Sequence, residues 1–187
     1  MKYETVVKWL GMICLLAGIV RMGMTPTAYL WGTDSVQELT FGFIACILMS
    51  AGTIVFFLVQ SKETGVIGFI STLGMIVGNI ITTGMVWTIL ALGSVPETEN
   101  MVVTITRTVM MVSFMVGTLV FTIVSFRAKV FPRWIVFLFV LMLGSMALPL
   151  DDNKWFAFFW GLAYVGFGYC VWAGKLGKQF ATEVSAR

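Results

Sequence analysis

The chain has 187 residues, of which 59% are hydrophobic and only 11% are charged. Soluble domains carry about 25% charged residues, so this composition excludes an ordinary soluble domain and predicts an integral membrane protein. The formal net charge of +3 is small, and the absence of histidine excludes sites that need imidazole as a metal ligand or general base.

Hydrophobic segments follow one another along the whole chain. They predict six membrane spans at residues 5–25, 39–60, 65–93, 101–126, 134–150 and 155–174. A helix of about 17–25 residues crosses a bilayer core of about 30 Å, and each segment is long enough. We therefore predict an all-α integral membrane protein, a bundle of six transmembrane helices that forms a single domain over residues 1–187. The segment from Thr25 to Glu38 is predicted to be a loop between the first two spans.

The longest uncharged stretch is Gly65–Pro96, which includes the third predicted span. Small residues recur along one helical face at Ser71, Gly74, Gly78 and Thr82. Helices in lipid associate where small residues let their backbones approach closely. This stripe therefore predicts close packing against another helix, either within the bundle or in a second copy of the chain.

Charged residues are distributed unequally between the two sides of the predicted bundle. If six spans are assumed, one side holds both termini and nine of the twelve basic residues, namely Lys2, Lys8, Lys62, Arg127, Lys129, Arg133, Lys175, Lys178 and Arg187. The other side holds six of the nine acids, namely Asp34, Glu38, Glu97, Glu99, Asp151 and Asp152. Because basic loops stay in the cytoplasm, both termini are predicted to be cytoplasmic. The short loops favour a multi-pass protein of the bacterial cytoplasmic (inner) membrane.

Four residues near the outer side are candidates for a ligand-binding site. Arg21 and Arg107 lie within the outer ends of the first and fourth spans, Asn79 lies near the middle of the third, and Trp87 lies nearer its outer end. A guanidinium group can donate two parallel hydrogen bonds to a carboxylate or phosphate, so these residues predict an outward-facing polar vestibule for an anionic group. The alternative is structural: the arginines reach lipid phosphates or pair with nearby acids, and Asn79 bonds to a neighbouring helix.

Other polar groups predict no metal or cofactor site. Asp151 and Asp152 are interpreted as a solvated turn, and the thirteen methionines are interpreted as flexible core residues. Cys14, Cys46 and Cys170 fall inside predicted spans without a C-x-x-C pattern. No nucleic-acid partner is predicted, and no catalytic set is recognised, so the protein is predicted not to be an enzyme.

Two classes of function remain. One is a membrane protein that binds or transports a small molecule or lipid, and the other is an accessory, sensing or immunity-type protein that binds another membrane protein or a second copy. In size, span count and predicted termini, the chain resembles the substrate-binding subunits of energy-coupling-factor transporters. Its first span has small residues at Gly11, Cys14, Ala17 and Gly18 but lacks the Ala-x-x-x-Ala pattern of those subunits.

Overall fold

The computed structural model describes residues 3–94, 100–146 and 154–176, and about 88% of these residues are helical. The described ranges contain no β-strand. The helices are α1 (Tyr3–Met22), α2 (Met24–Trp31), α3 (Val36–Gly52), α4 (Ile54–Leu58), α5 (Ser61–Leu92), α6 (Met101–Ala128), α7 (Arg133–Met146) and α8 (Lys154–Trp172).

Two pairs of helices form nearly continuous segments. The segment α1–α2 is interrupted at Gly23, about one turn before Pro26. Proline has no N–H to bond to the carbonyl oxygen of Met22, four residues earlier, and its ring clashes with that carbonyl group. The predicted loop from Thr25 to Glu38 is therefore wrong in its first half, because α2 is helical to Trp31. The segment α3–α4 is interrupted at Thr53, where the hydroxyl donates to the carbonyl oxygen of Met49 at 2.6 Å.

Five segments are long and apolar enough to cross a membrane: Tyr3–Trp31, Val36–Leu58, Ser61–Leu92, Met101–Ala128 and Lys154–Trp172. The protein is thus an all-α, multi-pass membrane protein. Helix α7 has 14 described residues, and the remainder of its predicted span, 147–150, lies outside the described residues. The count of six spans and the cytoplasmic location of both termini stay predictions.

The long helices are arranged as a ring. Each packs against two neighbours, in the order α1, α3, α5, α6, α7 and α8, and α8 returns to α1. The end of the ring that carries Lys62, Arg127, Lys129, Arg133 and Lys175 is called here the basic end. The opposite end, which carries Asp34 and Glu38 at the α2–α3 turn, is called the acidic end. Ser35 begins α3 by accepting a hydrogen bond from the Glu38 N–H, and Glu38 Oε2 accepts one from the Asp34 N–H at 2.7 Å.

Glycine contacts bring α1 and α8 together in an antiparallel pair. A methyl group at Gly18 would collide with the carbonyl oxygen of Gly161, and one at Gly168 would lie 2.7 Å from the carbonyl oxygen of Gly11. The contact glycines are Gly11 and Gly18 on α1 and Gly161 and Gly168 on α8, so on each helix they are seven residues apart. Only glycine allows this approach, because any Cβ would occupy the space of the opposite backbone.

The predicted stripe on the third span also forms a contact between helices. A Cβ at Gly117 of α6 would lie 2.9 Å from the Ser71 carbonyl oxygen, and a Cβ at Gly78 would lie 2.8 Å from the Phe114 Cβ. Gly74 approaches the Ser113 carbonyl oxygen of α6 in the same way. The stripe therefore packs against α6 within the chain.

Aromatic side chains fill the ring toward the basic end. Phe56 of α4 is fully buried, and its ring centroid lies 4.7 to 6.1 Å from the centroids of four other rings, those of Phe121, Phe139, Tyr164 and Phe167. These rings come from α6, α7 and α8, so this aromatic core joins three sides of the ring to the α3–α4 segment.

Candidate functional site

Arg21 lies inside the ring of helices. It is ten residues before the end of the α1–α2 segment, about 15 Å along the axis, and only 6% of its surface is exposed. Its Cζ lies 4.0 Å from the centroid of the Trp160 ring, a cation–π contact, and its Nη1 donates to Cys46 Sγ at 3.5 Å. The Glu38 carboxylate adds a favourable electrostatic interaction with the guanidinium group.

Two nitrogen donors at this contact lack a hydrogen-bond partner within the part of the chain that the structure describes. They are Nε of Arg21 and Nε1 of Trp160, and both are buried. A thiol is a weak acceptor, so the described hydrogen bond from Nη1 to Cys46 Sγ compensates the guanidinium group only weakly. Buried donors of this kind are suited to an oxygen-rich acceptor.

A chain of three hydrogen-bonded side chains crosses the middle of the ring. Asn79 Nδ2 donates to the Tyr164 hydroxyl at 3.2 Å, and that hydroxyl lies 2.7 Å from Thr53 Oγ1. Because Thr53 Oγ1 donates to the Met49 carbonyl oxygen, the Tyr164 hydroxyl is left as the donor to Thr53. Asn79 Oδ1 is a further buried atom without a described partner.

Tyr164 connects this chain to Arg21. It lies one helical turn after Trp160 on α8, and the Trp160 ring contacts the Arg21 guanidinium group, so the two groups of residues lie in one region. This region is called here the interior polar cluster, and it consists of Arg21, Cys46, Thr53, Asn79, Trp160 and Tyr164. It includes two of the four predicted site residues, Arg21 and Asn79.

The other two predicted site residues lie outside this cluster. Trp87 is 57% exposed on α5, where its ring packs against Phe43 with centroids 5.6 Å apart. Arg107 is half-buried on α6, two turns before Phe114, whose ring lies 4.6 Å from that of Trp160. Helical side chains lean toward the N-terminus of their helix. Because α1 and α6 run in opposite directions, Arg21 leans toward the middle of the ring and Arg107 leans toward the acidic end.

Whether these four residues bind a ligand stays a prediction, and the interior polar cluster adds residues that the prediction omitted. Trp160 and Tyr164 lie four residues apart on one face of α8, and the next residues on that face are Phe167 and Gly168. This periodic face was a signal available in the sequence. Cys46 and Thr53 lie seven residues apart in a row of small residues on the second span, and that spacing was a signal for close packing. The predicted Asp151–Asp152 turn lies outside the described residues.

Replacing Tyr164 with phenylalanine is expected to lower the free energy of unfolding by about 0.5–1.5 kcal/mol, because Asn79 Nδ2 and Thr53 Oγ1 each lose a buried partner. The matched control is Tyr169→Phe on the same helix, whose hydroxyl accepts from Lys175 Nζ at an exposed position. Reversible unfolding in detergent should show a small change for the control. Equal changes for the two variants would contradict the buried hydrogen-bond chain.

Comparison of the chain with protein-family models, with curated proteins and with solved structures finds no match.

Proposed function

We propose that the protein binds a small anionic molecule inside its ring of helices, with Arg21 as the anion-binding group. The ligand class is a carboxylate or phosphate that carries an apolar part. Transport of such a molecule would use the same site. The charge distribution and short loops support a location in a bacterial cytoplasmic membrane.

The observation that carries this proposal is the pair of buried donors at the Arg21–Trp160 contact. A buried guanidinium group is costly in a membrane unless its charge and its donors are compensated. The described compensation is an aromatic face, a thiol and the charge of Glu38, whose carboxylate also accepts from the Asp34 N–H. A bound carboxylate or phosphate would add both a negative charge and strong acceptors for Arg21 Nε and Trp160 Nε1.

The surroundings of these donors are largely apolar, which supports a ligand with an apolar part. Phe114 and Phe156 pack against the Trp160 ring, with centroids 4.6 and 5.3 Å from it. The Asn79–Tyr164–Thr53 chain provides polar groups on the side toward the middle of the membrane, where Asn79 Oδ1 is an acceptor without a described partner. A ligand with an anionic group at one end and a hydroxyl or amine group at the other would offer an acceptor to the Arg21 and Trp160 donors and a donor to Asn79 Oδ1.

Native mass spectrometry of the full chain, purified in mild detergent from its own membrane, tests this proposal. We expect a bound small molecule that fragments as an anion, and we expect Arg21→Gln to reduce its occupancy at least about tenfold, the equivalent of about 1.4 kcal/mol. Trp160→Phe keeps an aromatic face but removes the indole N–H, so it should weaken binding without loss of folding. Lys62→Gln removes a positive charge from the basic end and serves as the control.

Two results would contradict the proposal. One is equal occupancy in the unmodified protein and in a folded Arg21→Gln variant. The other is a protein without a bound small molecule that instead carries a second polypeptide, which would favour the accessory function.

A further inference from the structure

A groove runs between α6 and α7 near the basic end of the ring. Its volume is about 220 Å³, and its walls are formed by Thr122, Ile123, Phe126 and Arg127 of α6 and by Val136 and Val140 of α7. Among the described residues, α6 and α7 have the sparsest packing of any neighbouring pair in the ring. The groove is thus the place where the wall of the ring is least filled by the chain itself.

The walls of the groove face the lipid. Ile123, Phe126 and Val140 are each about half exposed; Ile123 and Phe126 belong to a segment with the length and apolar character of a membrane helix, and Val140 lies on the shorter apolar helix α7. Apolar side chains at this depth are surrounded by acyl chains rather than by water. An acyl chain is therefore the chemistry that matches the apolar walls of the groove.

Positive charge lies at one end of the groove only. Arg127 is in the last turn of α6 and forms part of the wall. Arg133 begins α7 and precedes Val136 by three residues and Val140 by seven, so it shares their helical face. Lys129 lies in the connection between the two helices. This end of the groove is at the helix termini, where lipid headgroups are located.

Helices α6 and α7 and their connection contain no acid, whereas the acids described at the basic end, Glu4 and Glu63, lie on α1 and α5. Residues 100–150 include Arg107, Arg127, Lys129 and Arg133 but no aspartate or glutamate. The charge at this end therefore complements an anionic headgroup better than a zwitterionic one, whose own positive group would be repelled. Guanidinium groups also match the geometry of a phosphate oxygen pair.

We propose that the α6–α7 groove is a specific site for an anionic phospholipid. One acyl chain lies against Ile123, Phe126, Val136 and Val140, and the headgroup phosphate accepts hydrogen bonds from Arg127 and Arg133. This site is separate from the interior polar cluster and does not depend on the function proposed for it.

Delipidated full-length protein titrated with phosphatidylglycerol or phosphatidylcholine of equal chain length, and followed by native mass spectrometry, tests the proposal. We expect one phosphatidylglycerol molecule to bind at least about tenfold more tightly than phosphatidylcholine. Arg127→Gln should remove this preference. Lys62→Gln, which removes an exposed positive charge at the same end but on α5, should leave it intact.

Two further measurements distinguish lipid binding in the groove from binding elsewhere on the protein. Val140→Trp fills the groove without a change in charge, and it should weaken the binding of both lipids. Inorganic phosphate at the same concentration should not displace the lipid, because it lacks the acyl chain. Equal affinity for the two lipids, an unchanged preference in Arg127→Gln, or displacement by inorganic phosphate would each overturn the proposal.

Discussion

Replacing Phe56 with alanine is expected to lower the free energy of unfolding by about 3 kcal/mol. The Phe56 ring is fully buried among four other rings from α6, α7 and α8, so its removal leaves a cavity that no single neighbour can fill. In soluble proteins a Phe→Ala change in the core costs about 3–5 kcal/mol, part of which is the transfer of apolar surface from water. That part is small in a membrane, because the unfolded helices remain in lipid. The expected value is therefore at the low end, and it reports lost van der Waals contact.

The measurement is reversible unfolding in mixed micelles, with the fraction folded followed as the denaturing detergent is increased. Phe137→Ala provides the control, since Phe137 is on α7 but is 62% exposed toward lipid. We expect the control to change the free energy of unfolding by less than about 0.5 kcal/mol. A Phe56→Ala variant as stable as Phe137→Ala would contradict the packing of the aromatic core.

Composition and the hydrophobic segments were sufficient to predict an all-α membrane protein. They also predicted the Gly74–Gly78 stripe as a contact between helices. The loop predicted from Thr25 was wrong in its first half, since Pro26 lies in the first turn of α2 and a proline is tolerated there. This error changes the predicted depth of Arg21. Because α2 extends the first span to Trp31, Arg21 lies about 15 Å from the end of the segment rather than near the surface.

The candidate site was only partly predictable for a different reason. Asn79 could be recognised from the sequence as a polar group that needs a partner. Its partner Tyr164 is 85 residues away on α8, and only the three-dimensional arrangement of α5 and α8 within the ring identifies it. Arg21 and Arg107 were predicted to belong to one site because they lie at similar predicted depths in their membrane spans. The opposite directions of their helices, together with the lean of helical side chains toward the N-terminus, were available as a reason to separate them.

Replacing Gly18 with valine is expected to lower the free energy of unfolding by more than about 3 kcal/mol and to abolish anion binding. Any Cβ at Gly18 collides with the Gly161 carbonyl oxygen and lies 2.8 Å from a Val165 side-chain carbon, so α1 and α8 must separate. Arg21 is one turn beyond Gly18, and Trp160 directly precedes Gly161. The glycine contact therefore sets the distance at which the guanidinium group meets the indole ring.

Gly84→Val on α5 is the matched control, because a Cβ at Gly84 meets no atom within 4 Å. Valine also has a slightly better helix propensity than glycine, so the control should be as stable as the unmodified protein or slightly more stable. The readouts are detergent unfolding for stability and native mass spectrometry for the bound anion. Gly18→Ala separates the two effects: a smaller displacement should leave a folded protein in which occupancy of the anion is already reduced. A folded Gly18→Ala variant with full occupancy would show that anion binding does not depend on the close approach of α1 and α8, which would argue against Arg21 and Trp160 as the binding pair.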